Sequence, residues 1–206
     1  MAVNSNRWNR IRYTAYTPFY DLVAGGFRRQ RQRAIALAEL RPGERVLIPG
    51  AGSGLDLALI PRDNPVTAVD ITPAMIRRLE QRARRLGRVV NARVMDAASL
   101  DFPDREFDVV LLHLILAVIP DPEGCIREAA RVLRPGGRVV IFDKFLADGT
   151  RPSLARRLLN APATAVATSI NRRLGPLLDT AGLERIHEEP AGFGGLFRIA
   201  IARHAG

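Results

Sequence analysis

Three glycines spaced two apart, Gly50, Gly52 and Gly54, separate the apolar run Val46–Ile48 from a second apolar stretch that starts at Leu55. A strand–turn–helix junction of this kind lets backbone N–H groups at a helix N-terminus approach a ligand closely, because no Cβ intervenes. Taken alone, tight packing of the turn explains such glycines as well as ligand binding does. Four polar residues further on add meaning by their positions: Asp70, Asp96, His113 and Asp143 each close an apolar run. An acid about twenty residues past the glycines is placed to accept hydrogen bonds from ribose hydroxyls, which suits any adenosine-containing cofactor. A dinucleotide turn wants a third glycine where this chain has Leu55, and that speaks against a nicotinamide oxidoreductase.

These groups require a scaffold that brings strand ends together. Val66–Val69, Val89–Met95, Phe107–Leu112 and Arg138–Phe142 read as further strands. Between them, Met75, Ile76, Leu79, Ala83 and Leu86 recur at helical spacing behind a Thr72 N-cap and Pro73. Asp121-Pro122 opens another helix with Ile126, Ala129, Ala130 and Leu133 inward, and Arg134-Pro-Gly-Gly137 is expected to end it. Phe27–Leu40 reads as a helix with Arg28, Arg29, Arg31 and Arg33 outward. Strand and helix alternating in this way predict right-handed βαβ units and ligand binding at the carboxyl ends of the strands. Two last strands, Leu183–Glu189 and Leu196–Ala202, imply an antiparallel strand at one edge. The fold class expected is α/β, a doubly wound, mainly parallel seven-stranded sheet with an antiparallel last strand and an N-terminal helical lid. One domain spans 1–206: a cap (1–40), a cofactor-binding core (41–143), substrate lid helices (144–182) and a terminal strand pair (183–206).

With 206 residues, 47% hydrophobic and 25% charged, the chain has the composition of a single globular domain. No apolar run is long enough to span a bilayer, no signal-peptide core is present, and the lone Cys125 has no disulfide or metal-ligand partner pattern. The expected location is therefore the cytoplasm. Net charge is +10, and of the 31 basic residues only Lys144 is a lysine. Such an excess is either a solvated surface or a sign of an anionic partner, nucleic acid or membrane. Residues 1–12, with Trp8 among arginines, read either as a short amphipathic helix on a membrane or as a terminus that folds over the site.

Five segments in order, Val-Leu-Ile-Pro-Gly-Ala-Gly-Ser-Gly54, Val-Asp70-Ile-Thr-Pro-Ala-Met75, Met-Asp96-Ala97, Phe-Asp-Val-Val110 and Leu-Arg-Pro-Gly-Gly137, resemble the class I S-adenosylmethionine-dependent methyltransferases. The resemblance implies S-adenosyl-L-methionine as cofactor, leaving as S-adenosyl-L-homocysteine. It further implies a cofactor set of Gly50, Ala51, Gly52, Gly54, Asp70, Ile71, Met75, Asp96, Ala97 and His113. In it the glycines pass the methionine part, Asp70 holds the ribose, Ile71 packs on adenine and Asp96 accepts from the adenine amino group. The family places an acid two residues before the first glycine, and this chain has Ile48 there. Asp56 or an N-terminal tyrosine is then expected to serve the cofactor's amino end, or the chain is a non-catalytic cofactor-binding partner protein.

Methyl transfer from a sulfonium needs in-line placement more than acid–base machinery, although an amine must arrive neutral. The apolar run after His113 lacks the Asn/Asp-Pro-Pro-aromatic motif of nucleic-acid methyltransferases, which makes a nucleic acid an unexpected partner. Tyr13, Tyr16, Tyr20 and Asp21 resemble the Tyr-x-x-x-Tyr-Asp opening of quinone-biosynthesis and bacterial phospholipid N-methyltransferases, and imply Tyr16 and Tyr20 beside His113 as the reaction-chamber groups. His113 itself reads as a base, a positioning group, or a histidine bonded into the strand end. An apolar pocket of residues 114–119 and 154–170 is expected to take a small amphiphile. A phospholipid amine head group comes first, with peripheral contact to an anionic inner membrane surface; a quinone-type C- or O-methyl acceptor comes second.

Overall fold

The computed structural model describes residues 25–146 and 172–205. Seven strands form one sheet: β1 (Val46–Pro49), β2 (Val66–Asp70), β3 (Val90–Val94), β4 (Phe107–His113), β5 (Leu133–Lys144), β6 (Leu183–Pro190) and β7 (Phe197–His204). Their order is β3-β2-β1-β4-β5-β7-β6. The first five strands pair in parallel, and β7 runs antiparallel to both neighbours. The reversed strand therefore lies inside the sheet and β6 forms its edge, a correction to the expected edge position. β1 is buried at every residue, as a central strand covered on both faces must be.

Helices α1 (Arg28–Leu37), α2 (Pro73–Arg85), α3 (Pro122–Arg131) and α4 (Leu174–Thr180) cover the sheet. Alternation along the strands divides the core into two. Ala34 and Ile35 of α1 and Leu79 and Ala83 of α2 pack with Val46, Ile48, Val109 and Leu111 on one face. Ile126 and Ala129 of α3 and Leu177 of α4 pack with Leu47, Val110 and Leu112 on the other. The helix α1 thus lies on the sheet rather than over its end, and the remainder of the expected lid, with residues 1–24 and 147–171, falls outside the described residues.

Local signals account for most boundaries. Pro73 takes the first turn of α2, and Asp121 caps α3 by accepting from the Gly124 N–H at 2.7 Å. Thr72 stands at the α2 N-cap but makes no side-chain cap bond. After the glycines, the expected helix is only a 3-10 turn, Leu55–Ala58, followed closely by Pro61. Arg134-Pro-Gly-Gly137 belongs to β5, where the ladder shifts between Phe107–Leu133 and Val109–Arg138, so the segment is a bulged lead-in to the strand. No helix among the described residues is long and apolar enough to cross a membrane.

Candidate active site

The chain leaves β1 toward β2 and β3, then returns to β4 on the other side of β1. That reversal opens a crevice beyond the carboxyl ends of β1 and β4, the usual ligand position in a doubly wound sheet. An open cleft occupies it, lined by Gly50 and Gly52 from the glycine turn, Asp70, Ile71 and Met75 after β2, and Met95, Asp96 and Ala97 after β3. The segment Leu114–Pro120 after β4 supplies the opposite wall through Leu114, Ile115, Val118, Ile119 and Pro120.

Leu114 makes that wall possible. Its φ of 60° is left-handed, an uncommon state for a branched residue, and its N–H donates to the Phe142 carbonyl at 2.7 Å. The backbone turns sharply there and folds Ile115 back over the glycines. Gly50 is required by this approach: at φ 64°, a Cβ on it would stand 2.4 Å from the Ile115 Cδ1. A Cβ on Gly54 would stand 2.9 Å from the Leu79 Cγ. Both glycines therefore serve protein packing as well as any ligand, and Gly54 and Ala51 lie behind the cleft rather than in its lining.

Asp70 ties the turn to the next element. Its Oδ2 accepts from the Gly52 N–H at 2.9 Å and its Oδ1 from the Thr72 N–H at 2.8 Å. Burial pushes its pKa up against the pull of these two donors. Each oxygen keeps a lone pair for a further donor, and a vicinal diol offers two. Asp96 accepts from the Ala98 N–H at 2.9 Å. Between the two acids, Ile71, Met75, Met95, Ala97 and Val118 form apolar walls. Diol acceptors at one end, an apolar slot and an acid at the other fit a nucleoside.

Three expected roles change. Arg31, expected outward, is 4% exposed and donates from Nη1 to Asp56 Oδ2 at 2.7 Å. Asp56, offered for the cofactor's amino end, is buried on Arg31 and His113 and does not line the cleft. His113, expected to touch the cofactor, is likewise absent from the lining; its Nδ1 lies 2.9 Å from Asp56 Oδ1 and its ring meets Phe142 edge-on. Burial acts to raise the Asp56 pKa, but the His113 and Arg31 charges outweigh it and hold the carboxyl well below the usual range. Asp56 thus holds the Nδ1 side of the ring, and among the described residues Nε2 is buried with no hydrogen-bond partner. Asp143, another acid that closes an apolar run, is fully buried and accepts from the Ala117 N–H at 2.9 Å, bracing the Leu114–Pro120 wall. Tyr16 and Tyr20 lie outside the described residues.

The family model for a methyltransferase domain matches residues 47–141, the strands and loops that build this cleft. A phosphatidylethanolamine N-methyltransferase of Cereibacter sphaeroides is 32% identical over 180 residues, covering 86% of this chain and 89% of that protein. The chain belongs to the S-adenosylmethionine-dependent methyltransferases. Its cofactor is S-adenosylmethionine. A demethylmenaquinone methyltransferase of Tropheryma whipplei (strain Twist) is also 32% identical, over 65% of this chain and 60% of that one. The fold is shared with a geranyl diphosphate methyltransferase solved with S-adenosylmethionine, at TM-score 0.73 and 17% identity over 86% and 85% of the two chains. Within this methyltransferase the residues missed by sequence reading are Met95 and the Leu114–Pro120 wall as part of the cofactor cleft; the left-handed Leu114 that folds them in carries no composition signal.

Proposed function

We propose that the methyl acceptor is the amine head group of a phospholipid, methylated at a membrane surface. One observation carries this reading: similarity to the phosphatidylethanolamine N-methyltransferase runs over 86% of the chain, well beyond the cofactor cleft. Methyltransferases share their cofactor core; the acceptor is chosen by the segments that flank it, so likeness across those segments speaks about substrate.

When bound, S-adenosylmethionine supplies an electrophilic methyl group on a sulfonium. Asp70 holds the ribose hydroxyls through the lone pairs left free by Gly52 and Thr72, and Asp96 with the walls of Ile71, Met75 and Ala97 takes the adenine. An acceptor amine is reactive only as the free base. His113, buried on Asp56 outside the cleft lining, holds the end of β4 in place, and the ammonium proton leaves to solvent before transfer. Tyr16 and Tyr20 complete the proposed chamber. A quinone-type acceptor is the second reading, favoured by the Tropheryma whipplei relative.

Incubation with methyl-labelled cofactor and a lipid extract, read by mass spectrometry, tests the acceptor. Label in mono-, di- and trimethylated phosphatidylethanolamine is expected. Label in a quinone fraction with none in phospholipid would overturn the reading.

A further inference from the structure

A second feature lies at the same end of the sheet as the cleft, on the β6–β7 connection. Phe193 is 67% exposed, at a φ of 52° that a bulky residue rarely adopts. Gly192, Gly194 and Gly195 around it all have positive φ, at 105°, 62° and 81°. The loop thus holds an aromatic ring largely in water. Phe193 is nevertheless anchored at its base: its ring lies 5.9 Å from Phe27 and 5.4 Å from Phe197. Gly192 packs near the first turn of α1, where a Cβ on it would stand 3.6 Å from the Gln30 side-chain nitrogen.

That first turn carries Arg28 and Arg29, directly after Phe27. Both are exposed, and neither forms an ion pair among the described residues. Positive charge at a helix N-terminus is opposed by the helix dipole, so the pair gains nothing from its own helix. Arg33, one turn on, is by contrast held by Glu189 at 2.8 and 2.9 Å. Lys144, at the end of β5, places its ammonium 5.9 Å from the Phe197 ring centre. An exposed aromatic ring beside the exposed Arg28 and Arg29 is the composition of a surface that meets lipid head groups and their acyl boundary. Among the described residues the other large exposed apolar ones, Val89, Val94 and Ile186, lie next to or on the edge strands β3 and β6.

We propose that this corner docks the protein on an anionic bilayer, with Phe193 inserted at the interface and Arg28 and Arg29 on acidic head groups. The purpose of docking rests on the phospholipid-amine reading; the binding itself does not. Because α1 begins and β5 ends at the carboxyl end of the sheet, a bilayer docked here faces the end on which the cleft opens.

Flotation of the full chain with vesicles of phosphatidylcholine, with and without phosphatidylglycerol, tests it. Wild type should float with anionic vesicles and lose binding as salt rises. Arg28→Gln with Arg29→Gln should weaken anionic binding roughly tenfold or more. The charge-matched control, Arg84→Gln with Arg85→Gln at the far end of α2, should change it less than about twofold. Equal losses from both pairs, or none from the corner pair, would overturn the proposal. In a Trp8→Phe background, Phe193→Trp should shift its emission to the blue on anionic vesicles without unfolding the protein; an unchanged spectrum would also overturn it. Methyl transfer to phosphatidylethanolamine in detergent micelles separates the two readings. Transfer there by a protein that ignores vesicles removes docking alone, and vesicle binding with no transfer in micelles removes the acceptor alone.

Discussion

Asp70 and Gly50 are the residues on which cofactor binding turns, for different reasons. Asp70 organises the turn and offers lone pairs to the ribose, so Asp70→Ala should weaken S-adenosylhomocysteine binding by about 10- to 100-fold in calorimetry, the loss of one or two charged hydrogen bonds at about 1.5 kcal/mol or more each. Burial raises the Asp70 pKa. Its ionised form is the better acceptor, so affinity should climb as pH rises through that raised value and flatten above it. Gly50→Ala sets a methyl group into the Ile115 side chain at positive φ, and overpacking of this kind costs about 1–3 kcal/mol. It should lower both thermal stability and cofactor affinity. Asp56 behaves oppositely to Asp70. Its folded pKa is depressed by His113 and Arg31, so its contribution is present above the ordinary carboxylate value and is lost as pH falls through the folded one. Asp56→Asn leaves Arg31 buried without its counter-charge and should cost about 3–5 kcal/mol near neutrality. In urea unfolding the gap from wild type should narrow below about pH 4; a gap that is flat down to pH 2 would contradict the buried ion pair.

At the level of elements, the cleft consists of four loop ends brought together by one topological reversal, and strand-end acids brace them. For Leu114–Pro120 the brace is Asp143, whose Oδ2 accepts from the Ala117 N–H. Asp143→Leu removes the acceptor and puts an apolar side chain in its buried place. It should loosen that wall, weaken cofactor binding several-fold and leave α3 and its Asp121 cap untouched, as amide hydrogen exchange confined to 114–120 would register. Much of this arrangement was legible in sequence because it is set by backbone periodicity: apolar runs give the strands, and Asp70, Asp96 and His113 fall at or just past strand ends by chain order alone. What was not legible depends on three-dimensional choices. An arginine on a helix reads as solvated, so nothing local marked Arg31 as the partner of an acid 25 residues away. Asp56 read as a free carboxylate for the same reason. The order of β6 and β7 was ambiguous because a hairpin can add to a sheet by either strand.

Across the whole molecule, the arginine excess reads differently once its partners are known. Arg88 donates to the carbonyls of Leu57, Ile60, Pro61 and Asn64, which end the 3-10 turn and lead into β2. Arg131 reaches the Leu100 and Phe102 carbonyls besides Glu128 and Asp104. Arg138, 7% exposed, binds the Ala38 and Glu39 carbonyls and Glu44, joining the end of α1 to the lead into β1. A planar guanidinium with five donors can cap four carbonyls at once, and a lysine, with three donors on one nitrogen, cannot. Much of the positive charge thus works as internal fastening, and net charge alone is a poor guide to a polyanion surface; position and lack of pairing, as at Arg28 and Arg29, are better ones. Arg88→Lys should therefore destabilise the fold by about 2–3 kcal/mol in urea unfolding although charge is conserved, because buried carbonyls lose their donors. The loss should persist in high salt, since carbonyl capping is not screened as exposed ion pairs are. A Lys variant as stable as wild type, or a deficit that salt abolishes, would return Arg88 to the role of a plain surface charge.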